Sequence, residues 1–191
     1  MSVQSSTNEG PLGTRNIVLS GVLLAVALIL SLTRLGYFPV PFPTQESTIL
    51  HIPGIIGAVL GGPVVGLIVS LVFAFDAYTR FVGAYTWPNA VAPILTLFVS
   101  RLLIPIVAWL VYRALHKSNE LVALGVAGAA GSLTNTAAVV GFAIAFGVLT
   151  VDVIPVILPA VMFELVLSAV VTVAVVAAYK RLSVGRTRSS V

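Results

Sequence analysis

The chain contains no cysteine. That excludes a disulfide framework and any thiolate metal site. Charge is nearly as scarce: 8% of residues are Asp, Glu, Lys or Arg, against about 25% in ordinary soluble domains. There is no Walker sequence, so ATP cannot bind in the P-loop manner. No HExxH or other metal-ligand spacing is present, and no motif calls for a cofactor. A lone serine or aspartate near a histidine makes no nucleophilic site, so an intramembrane enzyme is weakly supported. The net charge of +4 does not point to nucleic acid; its distribution along the chain carries the information instead.

What fills the chain is apolar. Hydrophobic residues make up 59% of it, and the mean hydropathy is +1.12. The apolar runs are long enough for helices, unlike the roughly 10-residue alternating strands of a barrel. The pattern predicts an all-α membrane protein, a bundle of six transmembrane helices. The spans are expected at Asn16 to Thr33, Ile49 to Gly61, Val64 to Tyr78, Ala90 to Tyr112, Leu121 to Leu149 and Val156 to Tyr179. Residues 1–14 are polar, lack the features of a signal peptide, and read as a disordered tail. Residues 15–182 form the transmembrane domain, and 183–191 a basic tail.

Six spans put both ends on one side. Arg15, Arg113, Lys117, Lys180, Arg181, Arg186 and Arg188 fall there, and Arg34 and Arg80 fall opposite. This bias makes both termini cytoplasmic. No internal repeat is evident, which argues against a small secondary transporter.

The stretch TILHIPGIIGAVLGGPVVG, Thr48 to Gly66, packs glycines where a soluble helix would lose about 1 kcal/mol for each. In a membrane such residues let helix backbones approach closely. Gly61-Gly62-Pro63 reads as a tight turn, with Pro63 opening the next helix. In the first span Gly21 and Ala25 are four apart and share a face, suited either to packing within the bundle or to docking a partner helix. Two outward loops carry aromatics. Tyr37, Phe38 and Phe42 lie among Pro39, Pro41 and Pro43, which forbid a helix and favour an extended segment. Tyr85 and Trp87 occupy the other. These rings suit a lid over a pocket or an interfacial aromatic belt.

Ionisable residues within spans are functional candidates by default. Here they are His51, Asp76, Arg101 and Glu164. Asp76 and Arg80 have the i, i+4 spacing of a local salt bridge. Arg101 and Glu164 both lie about 15 Å deep at 1.5 Å per residue, so an ion pair between them is expected, either as a helix lock or facing a solute cavity. His51 lies beneath the first loop. Asn89 either caps the fourth span or contacts solute. Asn135, between Thr134 and Thr136, needs a hydrogen-bonding partner from a neighbouring helix or a solute.

The run HIPGIIGAVLGGPVVG, the single arginine of the fourth span, GSLTNTAAVVGF and the pair Gly21 and Ala25 together resemble the substrate-specific S components of energy-coupling-factor (ECF) vitamin transporters. The resemblance covers nearly the whole chain. It implies a high-affinity membrane-embedded binding subunit, not an enzyme, in a prokaryotic plasma membrane. The partners it implies are a vitamin and a separate ECF module of one transmembrane coupling protein and two ATPase subunits. The first span would dock on that module, although the family usually has alanine where Gly21 stands. His51, Tyr37, Phe42, Tyr85, Trp87, Asn89, Arg101, Asn135 and Glu164 are the candidate substrate contacts. Overall similarity favours pantothenate; riboflavin, pyridoxine-type compounds, folate, thiamine and cobalamin stay open. An enzyme would instead have to bring His51, Asp76 and Glu164 together.

Overall fold

A computed structural model describes residues 13–39 and 46–188. Phe42, Pro41, Pro43 and most of the expected N-terminal tail lie outside them. The helices are α1 (Thr14–Leu32), α2 (Ile52–Gly61), α3 (Pro63–Phe81), α4 (Val91–Leu115), α5 (Glu120–Ala145) and α6 (Val153–Arg188). Five of them, all but α2, are long and apolar enough to cross a membrane. Their outer faces are correspondingly apolar, with Ile17, Val18, Leu32, Val166 and Val170 exposed.

Two departures from the expected all-helical bundle concern the first loop and the second span. β1 (Tyr37–Pro39) and β2 (Glu46–Thr48) form an antiparallel hairpin, with Tyr37 opposite Thr48. The proline-rich segment is thus extended, as its composition requires. The second helix is ten residues, about 15 Å at 1.5 Å per residue, half the hydrocarbon thickness. Leu50 and His51 link it to the hairpin. α6 also runs past the expected end at Tyr179, so the basic segment begins as a continuation of the helix.

The short helix is central. α2 touches each of the other five helices, and Ile52 through Val59 are all buried. Around it the pairs α1–α3, α3–α4, α4–α5 and α5–α6 pack in sequence. The ring opens between α1 and α6, leaving an apolar groove of about 760 Å³ floored by Ile52, Pro53, Ile56 and Leu60.

The glycines make this packing possible. A Cβ on Gly66 would meet the Cβ atoms of Ala58 and Pro105 at 2.6 and 2.7 Å, and one on Gly131 would meet Ile55 Cδ1 at 2.5 Å. Gly62, at φ +90°, makes the turn into Pro63, a backbone conformation that side chains disfavour. At this end of the bundle Lys180 donates to Glu120 and, at 2.8 Å, to the Tyr112 hydroxyl, joining α6, α5 and α4.

Candidate functional site

Polar groups at the hairpin end fall into two sets. The first is fully partnered. Arg80 Nε donates to Asp76 at 2.9 Å, as the i, i+4 spacing predicted. Asp76 also accepts from the Ser31 and Tyr37 hydroxyls. Arg80 Nη2 reaches the Ser31 carbonyl at 3.2 Å, and its guanidinium lies over the Tyr37 ring at 4.5 Å. One carboxylate thus ties α1, β1 and α3 together. Burial, and then the hydrogen bond to Asp76, push the Tyr37 hydroxyl far above its usual range, so it remains a donor.

The second set is only partly partnered. His51 is 1% exposed, and neither ring nitrogen has a hydrogen-bonding partner among the described residues. It sits at the start of α2, with its ring 6.4 Å from that of Phe73. Arg101 is 6% exposed. Its Nη1 donates to the Thr96 carbonyl at 2.9 Å and to Ser100 Oγ at 2.8 Å, while Nε has no partner. Its guanidinium lies 5.2 Å from the centre of the Phe73 ring. The Thr96 carbonyl that holds it belongs to a π-helical turn, Ile94–Val99, just after Pro93. Such turns displace carbonyls from the regular ladder and are frequent at functional sites. On the facing helix α5, Gly131, Ser132 and Asn135 share a buried stripe, and Ser132 Oγ and Asn135 Oδ1 are also unpartnered. So is Thr96 Oγ1.

The expected Arg101–Glu164 ion pair does not form. Glu164 instead accepts from Ser47 Oγ and from the Thr48 N–H at 3.1 Å, which fastens β2 to α6. The reason is the hairpin: its second strand reaches down to the carboxylate and supplies donors nearer than Arg101. Tyr37, His51 and Glu164 nonetheless each lie within electrostatic reach of Arg101. The charge on Arg101 is therefore buried without a carboxylate in contact, a costly arrangement in a closed interior.

The remaining candidates lie apart. Asn89 is exposed, and its Oδ1 accepts from the Val91 and Ala92 N–H groups at 3.0 Å each, capping α4. Trp87 donates to the Val82 carbonyl at 2.8 Å and meets Tyr85 edge to face, rings 5.9 Å apart. His51, Asp76 and Glu164 do not assemble as an enzyme would need: the two carboxylates are engaged by separate partners, and neither hydrogen-bonds His51. Gly21 and Ala25 are exposed, with open space where a Gly21 Cβ would stand. The opposite face of α1 buries Leu19, Leu23, Ala27 and Ser31.

Phe73 is the residue that sequence reasoning missed. A phenylalanine in an apolar span carries no signal beyond core packing. Thr96 is equally silent, whereas Ser132 sits in the polar run that drew attention to Asn135.

Buried hydrogen-bonding groups without partners among the described residues are thus concentrated on a few helices of a multi-helix apolar chain. Residues 15–177 match the family described as ECF transporter, substrate-specific component, and the chain belongs to that family. It is a substrate-specific transporter subunit whose family implies both a substrate and an ECF module as partner. No curated protein matches the sequence.

Proposed function

We propose that the chain is the binding subunit for uptake of a water-soluble vitamin carrying a carboxylate, with pantothenate the leading candidate. The observation that carries this reading is Arg101: buried, held in place by its own helix, and without a carboxylate in contact. A solute carboxylate would complete it with charge-assisted hydrogen bonds. Pantothenate also carries an amide and hydroxyls, which suit the unpartnered atoms of His51, Thr96, Ser132 and Asn135. Riboflavin, thiamine and pyridoxine-type compounds lack a carboxylate and make less use of Arg101.

In this reading the chain crosses a prokaryotic plasma membrane six times, with α2 and its preceding segment as the short crossing and both termini cytoplasmic. The hairpin then faces outward above the solute. The exposed Gly21 and Ala25 face of α1 packs on the coupling protein of the ECF module, where small residues permit close approach. Two ATPase subunits of that module drive the transport step.

Native mass spectrometry of the purified protein tests the substrate: a co-purified pantothenate supports it, and a solute without a carboxylate overturns it. The docking face is tested by Gly21→Leu with Ala25→Leu. Uptake in cells with the ECF module should vanish while the isolated protein still binds solute. Loss of binding as well would refute a docking role.

A further inference from the structure

Phe73 is 2% exposed and lies in a closed apolar cluster with Leu50, Ile55, Ala77, Ile104 and Ala108. Its surroundings are otherwise unusual for a core phenylalanine, because two polar side chains approach it. The Arg101 guanidinium is 5.2 Å from the ring centre, within cation–π range. The His51 ring is 6.4 Å away and tilted by 42°. These are also the two side chains whose buried nitrogens lack a partner among the described residues.

Arg101 is restrained three ways. Nη1 is held by the Thr96 carbonyl and by Ser100 Oγ, and the ring lies beside the guanidinium. What stays free of partners is the Nε edge, and a guanidinium edge matches a carboxylate. His51, likewise without partners at either nitrogen, adds a donor and an acceptor.

We infer that Phe73 is a positioning residue for carboxylate recognition: its ring holds Arg101 and His51 so that both address one carboxylate of the solute. This rests on reading the cluster as the solute site, and it assigns the carboxylate to a particular place within it. Phe73 touches the two recognising groups and acts through them.

The test is calorimetry on the purified full-length protein with two matched pairs, pantothenate with its alcohol analogue panthenol, and nicotinate with nicotinamide. The wild type should prefer the carboxylate member of at least one pair by about thirtyfold or more, as expected for a charge-assisted contact. Phe73→Leu should lower carboxylate affinity about tenfold and shrink the preference, leaving the neutral analogue within about threefold. Phe73→Tyr should restore the preference. Should Phe73→Leu fail to fold, Ser100→Ala, which frees Nη1 from one restraint, should shrink the preference in the same direction. Equal loss of affinity for both members of a pair, or no change at all, overturns the positioning role. A wild type that favours the neutral members overturns the carboxylate assignment; a neutral vitamin found by native mass spectrometry would then leave the binding-subunit reading intact. Binding of none of the four by the wild type overturns the proposal.

Discussion

Arg80 and Arg101 are both arginines on apolar helices near the hairpin end, yet their surroundings are opposite. Arg80 meets Asp76 in a salt bridge, lies over Tyr37 and reaches the Ser31 carbonyl. Arg101 is more deeply buried and has a carbonyl, a hydroxyl and a phenyl ring, but no carboxylate in contact. A buried charge gains from close pairing and suffers without it. The Arg80 network is therefore self-sufficient and serves the fold. The Arg101 cluster has no such carboxylate, and in the proposed function a solute supplies it. The contrast divides the hairpin end into a structural network joining α1, β1 and α3 and a proposed binding cluster on α2, α4 and α5 with Phe73 of α3.

The sharpest way to break this division is Arg101→Met. Solute binding should fall by about a hundredfold or more, since two or more charge-assisted contacts are lost, while the solute-free protein melts no lower than wild type. Calorimetry and a thermal melt in detergent check the two halves of that statement; a large loss of stability with binding preserved would reverse the assignment. The next largest effect falls on the other arginine. Asp76→Ala should destabilise the solute-free protein by about 1–3 kcal/mol, because Arg80, Tyr37 and Ser31 all lose their shared acceptor. Its effect on affinity should be smaller than that of Arg101→Met, measured on the same samples.

Gly131→Ala probes the packing beneath the site. Its new Cβ would stand 2.5 Å from Ile55 Cδ1, and overpacking of that kind costs about 1–3 kcal/mol. A thermal melt should show the loss, and an unchanged melting temperature would mean that α2 and α5 are less tightly apposed than described. The smallest effect is expected for Glu164→Gln. The amide oxygen can still accept from Ser47 and Thr48, so stability should change by less than about 1 kcal/mol. An ion pair with Arg101 would instead make this substitution strongly destabilising, and the melt distinguishes the two.

Much of this was legible beforehand. The helical class follows from apolar runs, and the extended first loop from alternating prolines. The Gly61-Gly62-Pro63 turn, the Asp76–Arg80 bridge and the Asn89 cap each depend on residues within four positions of one another. Local spacing decides such contacts, so the chain displays them directly. The Arg101–Glu164 expectation failed because it compared depth alone. Depth follows from counting residues, whereas pairing also needs both side chains to turn toward each other, with no nearer donor. The hairpin supplied that nearer donor, and short strands with so few residues leave little periodic trace.

The sequence by itself determined that this protein lives in a membrane, is built from helices, and has glycines that let them pack closely. Those properties are sums over many residues or patterns within one turn. The tertiary structure alone decided that the ten-residue helix α2 stands at the centre, ringed by five others. It decided that Glu164 serves the hairpin, and that Phe73 brings Arg101 and His51 together. Each of those outcomes depends on the relative rotation and height of segments far apart in the chain, which packing sets and local sequence does not.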